Sequence, residues 1–306
     1  MKIGKSIIEN GIYGFAVGDA LGVPYEFMSR ERMTRYPCVA MTGHGTHDQP
    51  TGTWSDDTSL TLATLDGLTE MSEEDGYDTV MSKFDLWLNE GEYSIDGVFD
   101  VGRTTMQAVL KYKRGIPAVD CGGRAIGDNG NGALMRIFPA VIYSLFRHGN
   151  IDYEFIDNVG ALTHGHAISK TACRIYADIV QSILQNVEKE KLLSKVDIYG
   201  QDEFSRLKSA DFSLLNESEI KSSGYVVYTL EAALWCFINT NSYKDCVIAA
   251  VNLGSDTDTG AAIAGSLAGL YYGKQNIPGE WMELLRGKQL IDALIDKFCN
   301  RMGNIE

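Results

Sequence analysis

The sequence predicts an all-α protein folded as a single compact orthogonal helical domain, and three observations predict it. No period-two alternation of apolar residues persists beyond a few positions, so strands have no pattern to form on. Several stretches instead repeat apolar residues at helical spacing. Two stretches, near opposite ends of the chain, are helical yet rich in glycine. Such helices make sense only packed backbone against backbone, because glycine in an exposed helix interior costs about 1 kcal/mol.

In chain order, residues 3–21 place Ile3, Ile7, Ile8, Ile12, Phe15 and Ala16 on one side of a helix. Gly14, Gly18 and Gly22 form a second, close-packing stripe, and Asp19 within it reads as a paired core carboxylate. The helix ends at Pro24, leaving Glu26 in a loop; residues 30–50 read as one long loop. His44, His47 and Asp48 in that loop lack a strict metal-ligand spacing. The motif GTWSDDT (52–58) opens a helix whose leucines at 60, 62, 65 and 68 suit burial, and 78–88 is amphipathic. Residues 99–105 lead into a helix through Tyr112, with Asp100 as its expected N-cap unless the acidic site reaches it.

The glycine-dense 122–132 precedes a helix predicted over 133–147. It lacks the lysine of a P-loop and the preceding strand, so it reads as an ordinary loop. Thr163-His164-Gly165-His166 precedes a helix over 167–184, and 186–224 is polar enough to read as a peripheral excursion. Helices over 226–238 and 243–251 lead to the second glycine-rich helix, and amphipathic helices over 281–286 and 289–302 follow. No linker interrupts the chain, so one domain is expected over 1–306.

Composition narrows the function classes. At 44% hydrophobic and 22% charged, the 306 residues have the balance of a soluble globular protein. The longest apolar runs fall short of a bilayer span, and the first residues do not form a signal peptide. Six cysteines without a C-x-x-C pair suggest reduced thiols in a cytoplasmic setting. A net charge of −14 with no long basic stretch disfavours nucleic-acid binding.

Chemistry concentrates at two helix starts. Asp256, Thr257, Asp258 and Thr259 open the small-residue helix, while Ser55, Asp56, Asp57 and Thr58 open another almost two hundred residues earlier. Either cluster alone is explained by capping and by the helix dipole. Together they supply four carboxylates and two or three hydroxyls, a donor set suited to two hard divalent cations.

The residues also resemble a known family, the ADP-ribosylglycohydrolases. The likeness runs in order through GFAVGDALGVPYEF (14–27), GTWSDDTSL (52–60), FDVGRTT (99–105), GNGALMR (130–136), THGH (163–166) and GSDTDTGAAIAG (254–265). It implies the family's all-α fold and two Mg²⁺ or Mn²⁺ ions held by Ser55, Asp56, Asp57, Asp256, Asp258 and Thr259. Many relatives have Thr where this chain has Ser55, which keeps the oxygen ligand. Glu26 matches the glutamate that closes over the site, and Asp100 an acid close to the substrate ribose. Asn129, Gly130, Asn131, Gly132, Met135 and Arg136 match the loop holding ribose and pyrophosphate, and His164 matches a turn on the adenosine side. The stretch 186–224 matches no motif.

The implied activity is metal-dependent hydrolysis of the glycosidic bond between ADP-ribose and a modified side chain, with Asp57, Asp258 or Glu26 accepting the water's proton. The acidic surface favours an arginine linkage over serine or O-acetyl-ADP-ribose. Two other readings have less support. A non-catalytic ADP-ribose binder or crystallin-like protein predicts degraded ligands, and both clusters are intact. An all-α isoprenoid synthase needs DDxxD, and Asp56-Asp57-Thr58-Ser59-Leu60 lacks the later acid.

Overall fold

The computed structural model describes residues 3–303. Its helices are α1 (Lys5–Gly22), α2 (Arg30–Arg35), α3 (Asp56–Glu70), α4 (Asp78–Glu90), α5 (Arg103–Lys113), α6 (Phe138–His148) and α7 (Tyr153–Ala161). There follow α8 (Ala167–Leu184), α9 (Val226–Asn239), α10 (Tyr243–Asn252), α11 (Thr257–Tyr272), α12 (Gly279–Leu284) and α13 (Lys288–Arg301). Among the described residues there is no β-strand longer than an isolated bridge.

The centre is the pair α1 and α11, the two glycine-rich helices, whose mutual packing is the most extensive in the molecule. Their backbones touch. A Cβ placed on Gly18 would lie 2.1 Å from the carbonyl oxygen of Ala261, and one on Gly265 would lie 2.3 Å from that of Gly14. Helices α9 and α10 pack against the same α11, while α3 fits among α4, α6 and α13. Nearly every side chain of α3 and α11 is buried, so both acidic helix starts open inside the protein.

Three expectations are corrected. Residues 30–50 are not all loop: α2 forms at Arg30–Arg35, capped by the Ser29 hydroxyl, which accepts the Arg32 N–H at 3.2 Å. The helix predicted from residue 133 begins at Phe138, because 130–136 are held in turns by tertiary hydrogen bonds, Asn131 N–H to Gly224 carbonyl among them. The excursion is not merely peripheral. It is a chain of 3₁₀ turns that buries Leu192, Val196, Phe204, Leu207, Phe212 and Ile220, and its far end reaches the acidic site. Those apolar residues are spaced with neither helical nor strand period, so the surrounding polar residues masked them.

Candidate active site

The two acidic helix starts meet. Asp19, Asp57 and Asp258 bring carboxylate oxygens within 4.8 Å of one another, and so do Glu26, Asp256 and Asp258. Above them opens a cavity of about 210 Å³ whose lining includes Glu26, Asp56, Asp57, Asp100, Asp256 and Thr259. Gly130, Asn131, Gly132, Met135 and His164 line it too, with Phe27 and Arg103 at its mouth.

Each acid is placed by local geometry. Ser55 caps α3, its hydroxyl accepting the Asp57 N–H at 3.2 Å. Asp56 and Asp57 therefore stand in the first turn, where the helix dipole favours negative charge. Asp19 closes the same turn from α1, accepting the N–H groups of Ser55 and Thr58 at 3.0 Å each and the Thr58 hydroxyl at 2.6 Å. Asn131 donates to Asp256 Oδ2 at 2.8 Å, and Thr259 donates to Asp57 Oδ1 at 3.3 Å. Asp258 is fully buried beneath the cavity.

The Glu26 loop is fixed by strained backbone. Phe27 N–H donates to the Ser255 carbonyl at 2.6 Å, and Ser255 N–H returns to the Met28 carbonyl at 2.7 Å. Phe27, Ser255 and Asp100 all adopt positive φ, at 63°, 67° and 53°. Such left-handed residues cost on the order of 1–3 kcal/mol each and gather at functional sites. Of the two readings of Asp100, N-cap or member of the site, the structure shows the second. Gly102 caps α5, and the Asp100 carboxylate turns into the cavity. Arg30 ties the loop to its surroundings by donating to the carbonyls of Leu253 and Ile220 at 2.9 and 2.6 Å.

The site also contains residues the sequence did not single out for it. His47, from the loop whose metal spacing was wrong, hydrogen-bonds through Nε2 to Glu26 Oε2 and groups with Glu26 and Asp100. Asp19, read as a paired core carboxylate, has no basic partner among the described residues; its hydrogen bonds there all come from the α3 start. Gly224 ends the excursion against Asp256, whose Oδ2 would lie 2.9 Å from a Cβ there. None of these has a local signature. Only the juxtaposition of helix ends reveals them.

Two residues that the resemblance places at the nucleotide loop do not line the cavity. Arg136 is fully buried and turned away, donating to the carbonyls of Val159 and Gly160 and to Thr163 Oγ1 at 2.7–3.2 Å, with its guanidinium 4.7 Å from the Phe84 ring centre. Burial lowers its pKa to about 10. Asn129 is spent likewise, accepting from Ser169 at 2.8 Å and donating to the Ile126 carbonyl at 3.1 Å. Both shape the loop from behind. Arg136→Met should therefore cost about 3 kcal/mol in urea denaturation, the scale of lost charged hydrogen bonds, while KM stays at the wild-type value.

The electrostatics favour a cation. Burial first, then mutual repulsion, raises Asp56, Asp57 and Asp258 well above the usual carboxylate range. Burial likewise lifts Asp19 to about 6 against its hydrogen bonds, and Glu26 to about 7 against its bond to His47. Asp57 Oδ2, Asp256 Oδ1 and Asp258 Oδ2 are buried without any hydrogen-bond partner among the described residues. Three orphaned anionic oxygens in one acidic cluster are costly unless something positive joins them, so the donor set fits hard divalent ions. These acidic clusters can hold metal ions.

A pH effect follows. The unfolded carboxyls lose protons near pH 4, but the folded ones hold theirs to higher pH, so raising pH through that window favours unfolding of the metal-free protein. Protein in EDTA should lose melting temperature between pH 5 and 8. Divalent-loaded protein should not, which differential scanning fluorimetry would show.

The ADP-ribosylglycohydrolase family profile matches residues 5–305. The chain is 31% identical over 302 residues to the ADP-ribosylarginine hydrolase Tri1 of Pseudomonas putida (strain GB-1), covering 97% of this chain and 79% of that one. It is 30% identical over 292 residues to the ADP-ribosyl-dinitrogen reductase glycohydrolase of Rhodospirillum rubrum, covering 92% and 93%. A solved structure described as an ADP-ribosylglycohydrolase-related protein complex superposes with a TM-score of 0.79 at 27% identity, over 97% of this chain and 98% of that one. Helical fold, acid-walled cleft and relatives together define a glycohydrolase. The chain belongs to the ADP-ribosylglycohydrolase family.

Proposed function

We propose that this protein removes ADP-ribose from modified arginine side chains of proteins, using two Mg²⁺ or Mn²⁺ ions. The observation that carries the metal is the cluster of orphaned buried oxygens on Asp57, Asp256 and Asp258. The arginine linkage is supported by relatives named ADP-ribosylarginine hydrolases and by the acidic cavity, which suits a cationic leaving group. Asp56, Asp57, Asp256 and Asp258 would hold the ions, with Thr259 and Ser55 supplying hydroxyl oxygens and Asp19 buttressing from α1.

Bound ions of this kind polarise sugar oxygens and lower the pKa of a water. The remaining work falls to the chain. Glu26, with a pKa raised to about 7, can exchange a proton with the attacking water or the departing guanidine near neutral pH. His47 fixes its orientation through Nε2. Asp100 faces the ribose, and Asn131 keeps Asp256 from rotating. Burial holds His164 neutral, its pKa lowered to about 3, so its imidazole can hydrogen-bond the nucleotide without adding charge.

Among the described residues no helix is long and apolar enough to cross a membrane, and the six cysteines are free and buried, which supports a cytoplasmic setting. The decisive assay measures ADP-ribose freed from arginine-linked and serine-linked proteins with Mg²⁺, Mn²⁺ or EDTA. Release from arginine alone, abolished by EDTA, is expected. Release from serine alone, or release indifferent to EDTA, would overturn the proposal.

A further inference from the structure

We propose that Phe27 is the residue that recognises the leaving group, stacking its ring on the guanidinium of the modified arginine. This rests on the arginine reading above.

Phe27 is anomalous on two independent counts. Its side chain is large and apolar, yet the residue is 69% exposed, at the mouth of a cavity walled by carboxylates. Its backbone sits at φ 63°, a conformation a bulky residue adopts only when its surroundings impose it. Here they do, through the paired hydrogen bonds with Ser255 and Met28. A solvent-facing phenylalanine contributes little to the core, so neither burial nor backbone preference explains a ring at this position.

Its placement supplies the explanation. Phe27 directly follows Glu26, and its ring centre lies 6.0 Å from that of His47, which in turn lies 5.1 Å from Phe99. The ring therefore stands at the acid end of the cavity. The other end is the cluster of Gly132, Thr105 and His164, where a Cβ on Gly132 would lie 2.7 Å from the imidazole. The bond to be broken must lie among the acids, so the group leaving the ribose departs past Phe27. Apart from the His164 imidazole, Phe27 is the sole aromatic side chain among the described lining residues.

A guanidinium suits that position. It is planar, cationic and weakly hydrated, so it gains from an aromatic face on one side and carboxylates around its edge. Glu26 and Asp100 provide the carboxylates. A serine hydroxyl leaving group has no flat face and no charge, and would gain nothing from the ring.

The test compares wild type with Phe27→Ala, Phe27→Leu and Phe27→Trp. Two quantities are read with Mg²⁺ present: kcat/KM on arginine-ADP-ribosylated protein, and the Kd of free ADP-ribose by calorimetry. The Ala and Leu variants should lose about tenfold in kcat/KM, while Trp stays within about twofold of wild type. The Kd for ADP-ribose, which lacks the guanidinium, should be unchanged in all three. Wild-type activity in the Leu variant would overturn the stacking, because bulk alone would then suffice. A parallel loss of ADP-ribose affinity would overturn it differently, by assigning the ring to the nucleotide. A wild-type enzyme inactive on arginine linkages but active on serine linkages would refute the substrate reading itself, and this inference with it.

Discussion

Asp256→Asn should lower kcat by about a thousandfold, the scale on which a metal-stabilised transition state is lost, and at the same time should leave the metal-free protein at least as stable as wild type. The two effects have one origin. Asp256 is half-buried, its Oδ2 is held by Asn131, and its buried Oδ1 has no partner among the described residues. Removing its charge relieves repulsion that raises Glu26, Asp56, Asp57 and Asp258. A residue kept for packing would behave in the opposite way, because its replacement would lower stability and spare turnover. Melting curves with and without Mn²⁺ separate the cases. Wild type should gain several degrees on adding the ion, and the variant little or none. A variant that gains as much as wild type would remove Asp256 from the ligand set.

Gly265→Ala and Gly260→Ala are the same substitution in the same helix, five residues apart, and should have opposite signs. At Gly265 the new methyl group would lie 2.3 Å from the Gly14 carbonyl, so α1 and α11 must separate along their contact. Overpacking of this kind costs about 3 kcal/mol, and more where backbone rather than a side chain has to give way. At Gly260 no atom outside its own stretch of helix backbone lies within 4 Å of the added Cβ, and the helix gains about 1 kcal/mol from the better helix former. Urea denaturation of the pair reads both signs in one experiment. Equal midpoints would mean that the two helices are not in backbone contact.

Much of this organisation was legible in the chain. Glycine at i, i+4 and i+8 near residue 18 and the small-residue run after Gly260 each announced a helix that must touch another backbone, and α1 and α11 satisfy one another. The paired Ser-Asp-Asp-Thr and Asp-Thr-Asp-Thr clusters announced carboxylates at buried helix starts. What stayed hidden depended on three-dimensional approach. Asp19 shows no local sign of belonging to the acidic centre, because its partners come from α3. His47 reaches Glu26 only because its loop folds back across the mouth. Arg136 sits in a motif that suggests contact with a nucleotide, yet its side chain turns inward to the last-turn carbonyls of α7 and the Thr163 hydroxyl, partners visible only once α7 is placed. The buried apolar residues of 186–224 were likewise invisible, since 3₁₀ turns impose no long period.

The pairing of α1 with α11 also has a consequence for how the protein is made. Helix α1 carries a bare backbone stripe whose partner α11 is synthesised some two hundred and forty residues later. Until α11 emerges, α1 has no surface to bury that stripe against, and Asp19 waits for Asp258. The nascent chain must therefore carry an unpaired, sticky helix through all the residues between the two, with the acidic site completed only when α11 emerges. Non-local closure of this kind slows folding and leaves partly folded chains open to aggregation. Its yield in a cell should accordingly depend more on chaperone capacity and growth temperature than the stability of the finished fold would suggest.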